Sequence, residues 1–116
     1  MMILYIMIWR NILIEKDNIL KMIGLAVKAR KASTGTMICL EDIKKDRIKL
    51  LFVASDCSEN TREKVLNAKI SKQIEIIEIF SKEQLGSIIG KEEISVVGIK
   101  DSNFAKGIRS KITKEN

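Results

Sequence analysis

Three short runs rich in apolar and β-branched residues, at 50–54, 74–80 and 94–99, alternate with segments whose apolar residues recur at helical spacing. Such alternation demands crossover connections that lay helices over both faces of a parallel or mixed sheet. The 50–54 run, LLFVA, is apolar throughout and bounded by charges, which suits a strand covered on both faces. The expected architecture is a three-layer α/β/α sandwich, a four-stranded mixed sheet with about five helices.

Local signals place the elements. Ile19, Leu20, Ile23 and Val27 fall on one helical face, and Asp17 stands where it can cap the first turn, so the first helix is expected from 17 to about 29. A short strand at 31–34 leads into Gly35, a tight turn before a second helix that ends near 45. Ser58 can cap a helix carrying Val65 and Leu66, and Ser81 one that stops at Gly90. A last helix is expected from about 102 to 111.

No Pro, Ser/Gly linker or repeat interrupts the chain, and 116 residues suffice for one core. Residues 17–112 therefore read as one domain, with 1–16 as an N-terminal extension and 113–116 as a polar tail. The opening MMILYIMIW is too short to span a bilayer and lacks the basic start and cleavage site of a signal peptide. It could be an edge strand or helix cover, a partner-docking segment, or a misassigned translation start. The last is favoured, because the helical pattern from Asp17 needs nothing upstream. No membrane association is expected.

Histidine is absent, which removes the commonest general base and metal ligand together with Ser-His and Cys-His nucleophile pairs. Neither GxxxxGK[ST] nor GxGxxG occurs, so no glycine loop cradles a nucleotide. Cys39 and Cys57 lie at no zinc-like spacing and read as reduced thiols of a cytoplasmic protein, Cys39 as a small core hydrophobe. Asp56 and Glu59 admit a cation site, although acids beside a helix start more often serve as capping or dipole partners. A binding protein is expected, without enzymatic activity, cofactor or metal.

Net charge is +6, and residues 1–50 carry ten Lys/Arg against five acids while 51–100 carry seven against eight. This imbalance suits a polyanion, either nucleic acid or an anionic membrane surface. Lys28, Arg30 and Lys31 precede the turn at Gly35, where a helix start exposes backbone amides. That corner reads either as a phosphate-binding site or as a solvated basic loop.

GLAVKARKASTG at 24–35, LLFVASDCSENT at 50–61, FSKEQLGSIIGKE at 80–92 and SNFAKGI at 102–108 resemble, in the same order, the YlxQ-type bacterial members of the L7Ae superfamily of ribosomal proteins. The resemblance covers about residues 18–110. It implies an αβα sandwich that binds kink-turn RNA, a bent duplex whose guanine edges become accessible to a helix N-terminus. The corner at 31–38 would enter the kink and the loop at 91–95 would cover a flipped base. The RNA-contacting set so implied is Lys28, Arg30, Lys31, Thr34, Gly35, Thr36, Met37, Ile38, Lys44 and Lys91.

Lys31 and Gly35 agree with the superfamily pattern, but Thr36, Met37, Ile38 and Glu41 stand where it has a small residue, Asn, Glu and Lys. Met and Ile cannot read a base edge, and Glu41 opposes phosphate. RNA binding led by backbone contacts is the implied function, with ribosomal or regulatory RNA as partner, contacts to the ribosome or translation factors, and a monomeric state. Two other readings stay open: a protein-interaction module built on the same fold, favoured by Met37 and Ile38, and a substrate-binding or enzymatic subunit.

Overall fold

The computed structural model describes residues 2–70 and 72–113, with side chains from Glu15 to Ile112 apart from residue 71. The elements are α1 (Met2–Lys28), β1 (Ala32–Thr34), α2 (Thr36–Lys44), β2 (Leu50–Val53), α3 (Glu59–Lys69), β3 (Glu75–Ile77), α4 (Lys82–Ser87), β4 (Val96–Ile99) and α5 (Ser102–Thr113).

The sheet order is β1-β4-β2-β3, with β4 antiparallel to both β1 and β2 and β3 parallel to β2. Every residue of the inner strands β2 and β4 is buried, as two covered faces require. Side chains alternate between the faces. Leu50, Phe52 and Ala54 join Ile19, Ile23 and Ala26 of α1, Leu85 of α4 and Ala105 and Ile108 of α5 in one core. Leu51 and Val53 join Cys39 and Ile43 of α2 and Val65 of α3 in the other. The three layers and the four-stranded mixed sheet are as the sequence implies.

The helix starts follow from their caps. Ser58 Oγ accepts from the Thr61 amide at 3.1 Å, and Ser81 with Gln84 closes a reciprocal capping box. Asp101, which the sequence pattern did not mark, accepts from the Phe104 amide at 2.9 Å and starts α5.

Four boundaries depart from expectation. α4 ends at Ser87 with Ile88 as its C-cap, short of Gly90, because the Ile89 and Lys91 amides turn back to the Gly86 carbonyl. α1 begins at Met2, so Asp17 is an exposed mid-helix residue rather than a cap. No Pro or Gly lies between residues 2 and 23, and the apolar opening prolongs the helix instead of preceding it. Its side chains, like residues 114–116 of the polar tail, lie outside the described residues. β3 shrinks to three residues because it is an edge strand with a ladder only to Leu50–Phe52 of β2. β4 starts at Val96, because the Ile94 amide turns to the Lys82 carbonyl at 3.0 Å.

Phe52 is buried and meets Phe80 at a ring-centroid distance of 6.0 Å. Replacing it with alanine removes this contact and leaves a cavity in the larger core. Chemical denaturation of Phe52→Ala should show a loss of about 3–5 kcal/mol of stability.

Candidate functional site

Strand directions gather four chain segments at one end of the sheet. β1, β2 and β3 finish there and β4 begins there, so the Gly35 turn, the loop after Ala54, the Ser81 turn and the 91–95 loop are neighbours. Backbone bonds fix them: the Gly35 amide donates to the Val96 carbonyl at 2.9 Å, the Ala54 amide to Ser95 at 2.8 Å and the Ser55 amide to Phe80 at 2.8 Å. The corner and the loop that the resemblance pairs are thus adjacent.

Gly35 adopts φ 95°, a conformation costly for residues with a Cβ, and stands as the N-cap of α2 without a side-chain hydrogen bond. The first-turn amides of Thr36, Met37 and Ile38 have no intrahelical acceptors, and the helix dipole adds positive potential there. Met37 and Ile38 project from this turn, 74% and 56% exposed. A surface depression of about 500 Å3 beside them is lined by Met37, Leu40, Glu41, Lys44 and Lys45.

Behind the turn a buried polar pair braces the corner. Ser33 Oγ of β1 donates to Asp42 of α2, and Asp42 also accepts from Arg47 at 3.5 Å. The Cys39 thiol donates to the Ser33 carbonyl at 3.3 Å, and burial pushes its pKa up to about 12. Cys39 is therefore a core residue and no nucleophile.

The 91–95 loop is set by Gly86. Its carbonyl accepts from the Ile89 and Lys91 amides at 3.1 and 2.9 Å. A Cβ at this position would come within 2.7 Å of the Lys91 carbonyl and 2.9 Å of Glu92 backbone atoms. Only glycine lets the loop fold this closely over α4. Lys91 is exposed on it, followed by exposed Glu92 and Glu93, the latter 3.7 Å from Lys82.

The expected contact set divides between the two ends of the sheet. Thr34, Gly35, Thr36, Met37, Ile38 and Lys91 share the end just described. Lys28, Arg30 and Lys31 do not: the Lys31 carbonyl accepts from Lys100 at 2.8 Å, at the far end of β1. Lys31 and Gly35 are separated by the extended β1, about 13 Å apart at 3.3 Å per residue. Lys44 closes α2 beside α3, where it lines a depression with Leu40, Lys64, Asn67 and Ala68. The single cationic corner expected from the sequence is thus two surfaces, because a strand intervenes.

Carboxylates near the Gly35 end are largely engaged. Asp56 accepts from the Lys82 amide at 2.8 Å and serves α4 rather than a cation, Glu41 pairs with Lys45 at 3.0 Å, and Arg62 pairs with Glu78 at 2.5 Å. That last bond raises the Arg62 pKa above its ordinary value. Among the described residues no three Cys, Asp or Glu side chains converge on a metal-binding position, and no helix is long and apolar enough to cross a membrane. Sequence reasoning missed Lys49 and Lys100, which the sheet places beside Lys31. Their only signal was position, each a lysine flanking a wholly apolar strand.

Residues 17–108 match the model of the ribosomal protein L7Ae/L30e/S12e/Gadd45 family. The chain belongs to that family. Within it, the chain is 37% identical over 92 residues to the RNA-binding protein YlxQ of Enterococcus faecium, covering 79% of this chain and 88% of that protein. YlxQ of Bacillus subtilis (strain 168) is 34% identical over 89 residues, covering 77% and 89%. A solved structure of a protein of unknown function from Bacillus halodurans C superposes with a TM-score of 0.75 at 30% identity, over 82% of this chain and 96% of that one. The Giardia lamblia 15.5kD RNA binding protein shares the fold with a TM-score of 0.69 at 18% identity, over 86% of each chain.

Two outcomes follow from this geometry. Gly86→Ala should cost about 1–3 kcal/mol in denaturant unfolding and raise amide exchange through residues 91–95, because the backbone contact leaves no room for a methyl group. In native protein at mildly alkaline pH a thiol reagent should modify half-buried Cys57 and spare Cys39, with Cys39 reacting only after unfolding.

Proposed function

We propose that this chain is a non-enzymatic RNA-binding protein that grips a bent, kink-turn-like RNA at the sheet end formed by Gly35 and the 91–95 loop. The observation that carries this reading is the start of α2 at Gly35, which no side chain caps, hydrogen-bonded through Gly35 to the strand that the loop enters. Exposed amides on a helix dipole favour phosphate, and L7Ae-family membership with RNA-binding relatives supports RNA as its source. The binding unit is residues 17–112, acting as a monomer in the cytoplasm on ribosomal or regulatory RNA, with contacts to the ribosome or translation factors.

Met37 and Ile38 supply no hydrogen-bonding groups for a guanine edge, so recognition is of backbone shape, with the thioether and aliphatic side chains resting against unstacked bases. The same exposed pair and the adjoining depression favour a second reading, a protein-interaction module. Capture of a protein partner with no retained RNA would decide for it.

Met37→Glu separates binding from folding. A carboxylate in the first turn of α2 should stabilise the helix by about 0.3–1 kcal/mol. It should also weaken RNA binding roughly five- to tenfold by repelling phosphate. Titration of wild type with a kinked RNA should show affinity falling as salt rises from about 50 to 200 mM. Salt-independent binding, or unimpaired binding by Met37→Glu, would contradict phosphate contact at this corner.

A further inference from the structure

We propose that the opposite end of the sheet is a second RNA contact, a sequence-independent clamp on the phosphate backbone of duplex RNA, built from Lys28, Arg30, Lys31, Lys49 and Lys100. It rests on the RNA reading above and adds to it a partner element that the Gly35 end does not touch.

The placement is dictated by register. Lys31 precedes β1, Lys49 precedes β2 and Lys100 follows β4, three adjacent strands with β4 reversed between the others. The Lys100 amide donates to the Lys31 carbonyl at 2.8 Å, and the Lys49 amide to the Ile99 carbonyl at 2.7 Å. With strands about 4.8 Å apart, three lysines root within roughly 10 Å of one another. Arg30, held at φ 60° in the turn after α1, and Lys28 at the helix end widen the row, and both are exposed.

Among the described residues none of these five cations forms an ion pair with a carboxylate; other lysines such as Lys64 and Lys106 are also without one, but these five stand together at one end of the sheet. The acids nearest this end are committed elsewhere: Asp42 to Ser33 and Arg47, Asp46 to Lys72, and Asp101 to the start of α5. Uncompensated like charges held by rigid strands repel one another, and a polyanion relieves that repulsion while releasing its own counterions.

Chemistry favours a duplex backbone over other polyanions. Apart from half-buried Val27, the large apolar residues next to these cations in sequence, Ile48, Leu50 and Ile99, are buried. The row presents no aromatic group for stacking on bases, and its exposed apolar neighbour, Leu25 beside Lys28, is one side chain rather than the broad apolar face that inserts into lipid. Position also fits. The row and the Gly35 corner lie at the two ends of the edge strand β1, about 13 Å apart. A gap of this size corresponds to a few nucleotides along one strand of an A-form RNA duplex. One bent RNA can hold its kink at Gly35 and its flanking stem on the lysine row.

The test uses the full chain with Arg30→Gln, Lys31→Gln, Lys49→Gln and Lys100→Gln combined, and the Arg30→Gln, Lys31→Gln pair as a milder variant. The probes are a plain RNA duplex of about 16 base pairs, a kinked RNA, and vesicles rich in anionic lipid. For both RNAs the slope of log affinity against log salt should flatten by about three in the fourfold variant and by about half as much in the pair. Met37→Glu should weaken the kinked RNA and leave the plain-duplex slope unchanged. Wild-type slopes in both lysine variants would overturn the clamp while leaving the Gly35 reading intact, as would wild-type binding to vesicles but not to the plain duplex. Lysine-dependent binding of plain duplex with no preference for the kinked RNA would instead sustain the clamp and remove the kink-turn reading.

Discussion

Burial of β2 and β4 on both faces is the constraint from which the rest of the molecule follows. Two runs of four inner-strand residues without a polar side chain, LLFV and VVGI, have nowhere to go except between two helical layers. Their backbone groups must then be satisfied within the sheet, since unpaired amides and carbonyls away from water are costly. Once β4 lies antiparallel between β1 and β2, the loops carrying Gly35 and Lys91 fall at one end and the residues flanking the strands, Lys31, Lys49 and Lys100, at the other. Function is placed by topology before any side chain is chosen for it.

Much of this frame is legible in the sequence because its causes are local. Ser58 and Ser81 announce helix starts through one hydrogen-bonding side chain each, Gly35 announces a left-handed turn, and apolar runs announce covered strands. Legibility failed where an outcome depends on partners distant in the chain. Asp17 resembles a cap, yet the upstream residues continue the helix; Ile79 and Phe80 favour a strand, yet β2 offers no further ladder beyond Phe52. The candidate site was half readable. Gly35 and the 91–95 loop carry local signatures, whereas the separation of Lys31 from Gly35, and its union with Lys49 and Lys100, arise only from strand order.

The two ends of the sheet differ in physical character. At the Gly35 end positive potential comes from oriented backbone amides, while Glu92 and Glu93 stand on the adjoining loop and Met37 and Ile38 expose apolar surface. At the other end it comes from full charges on long, hydrated side chains, which attract at a distance but discriminate little. An anionic partner meeting both would be drawn by one end and shaped to the other.

The order β1-β4-β2-β3 also governs how the chain acquires its structure. The strand wedged between the first two is the last to be synthesised, so β1 and β2 have no shared partner until residues 96–99 have emerged. Until then the core is open along its middle, and the exposed edges of β1 and β2 are surfaces on which another chain could pair. The native sheet closes by insertion rather than by extension, which makes folding a late, nearly whole-domain event that waits on the non-local pairing of β4.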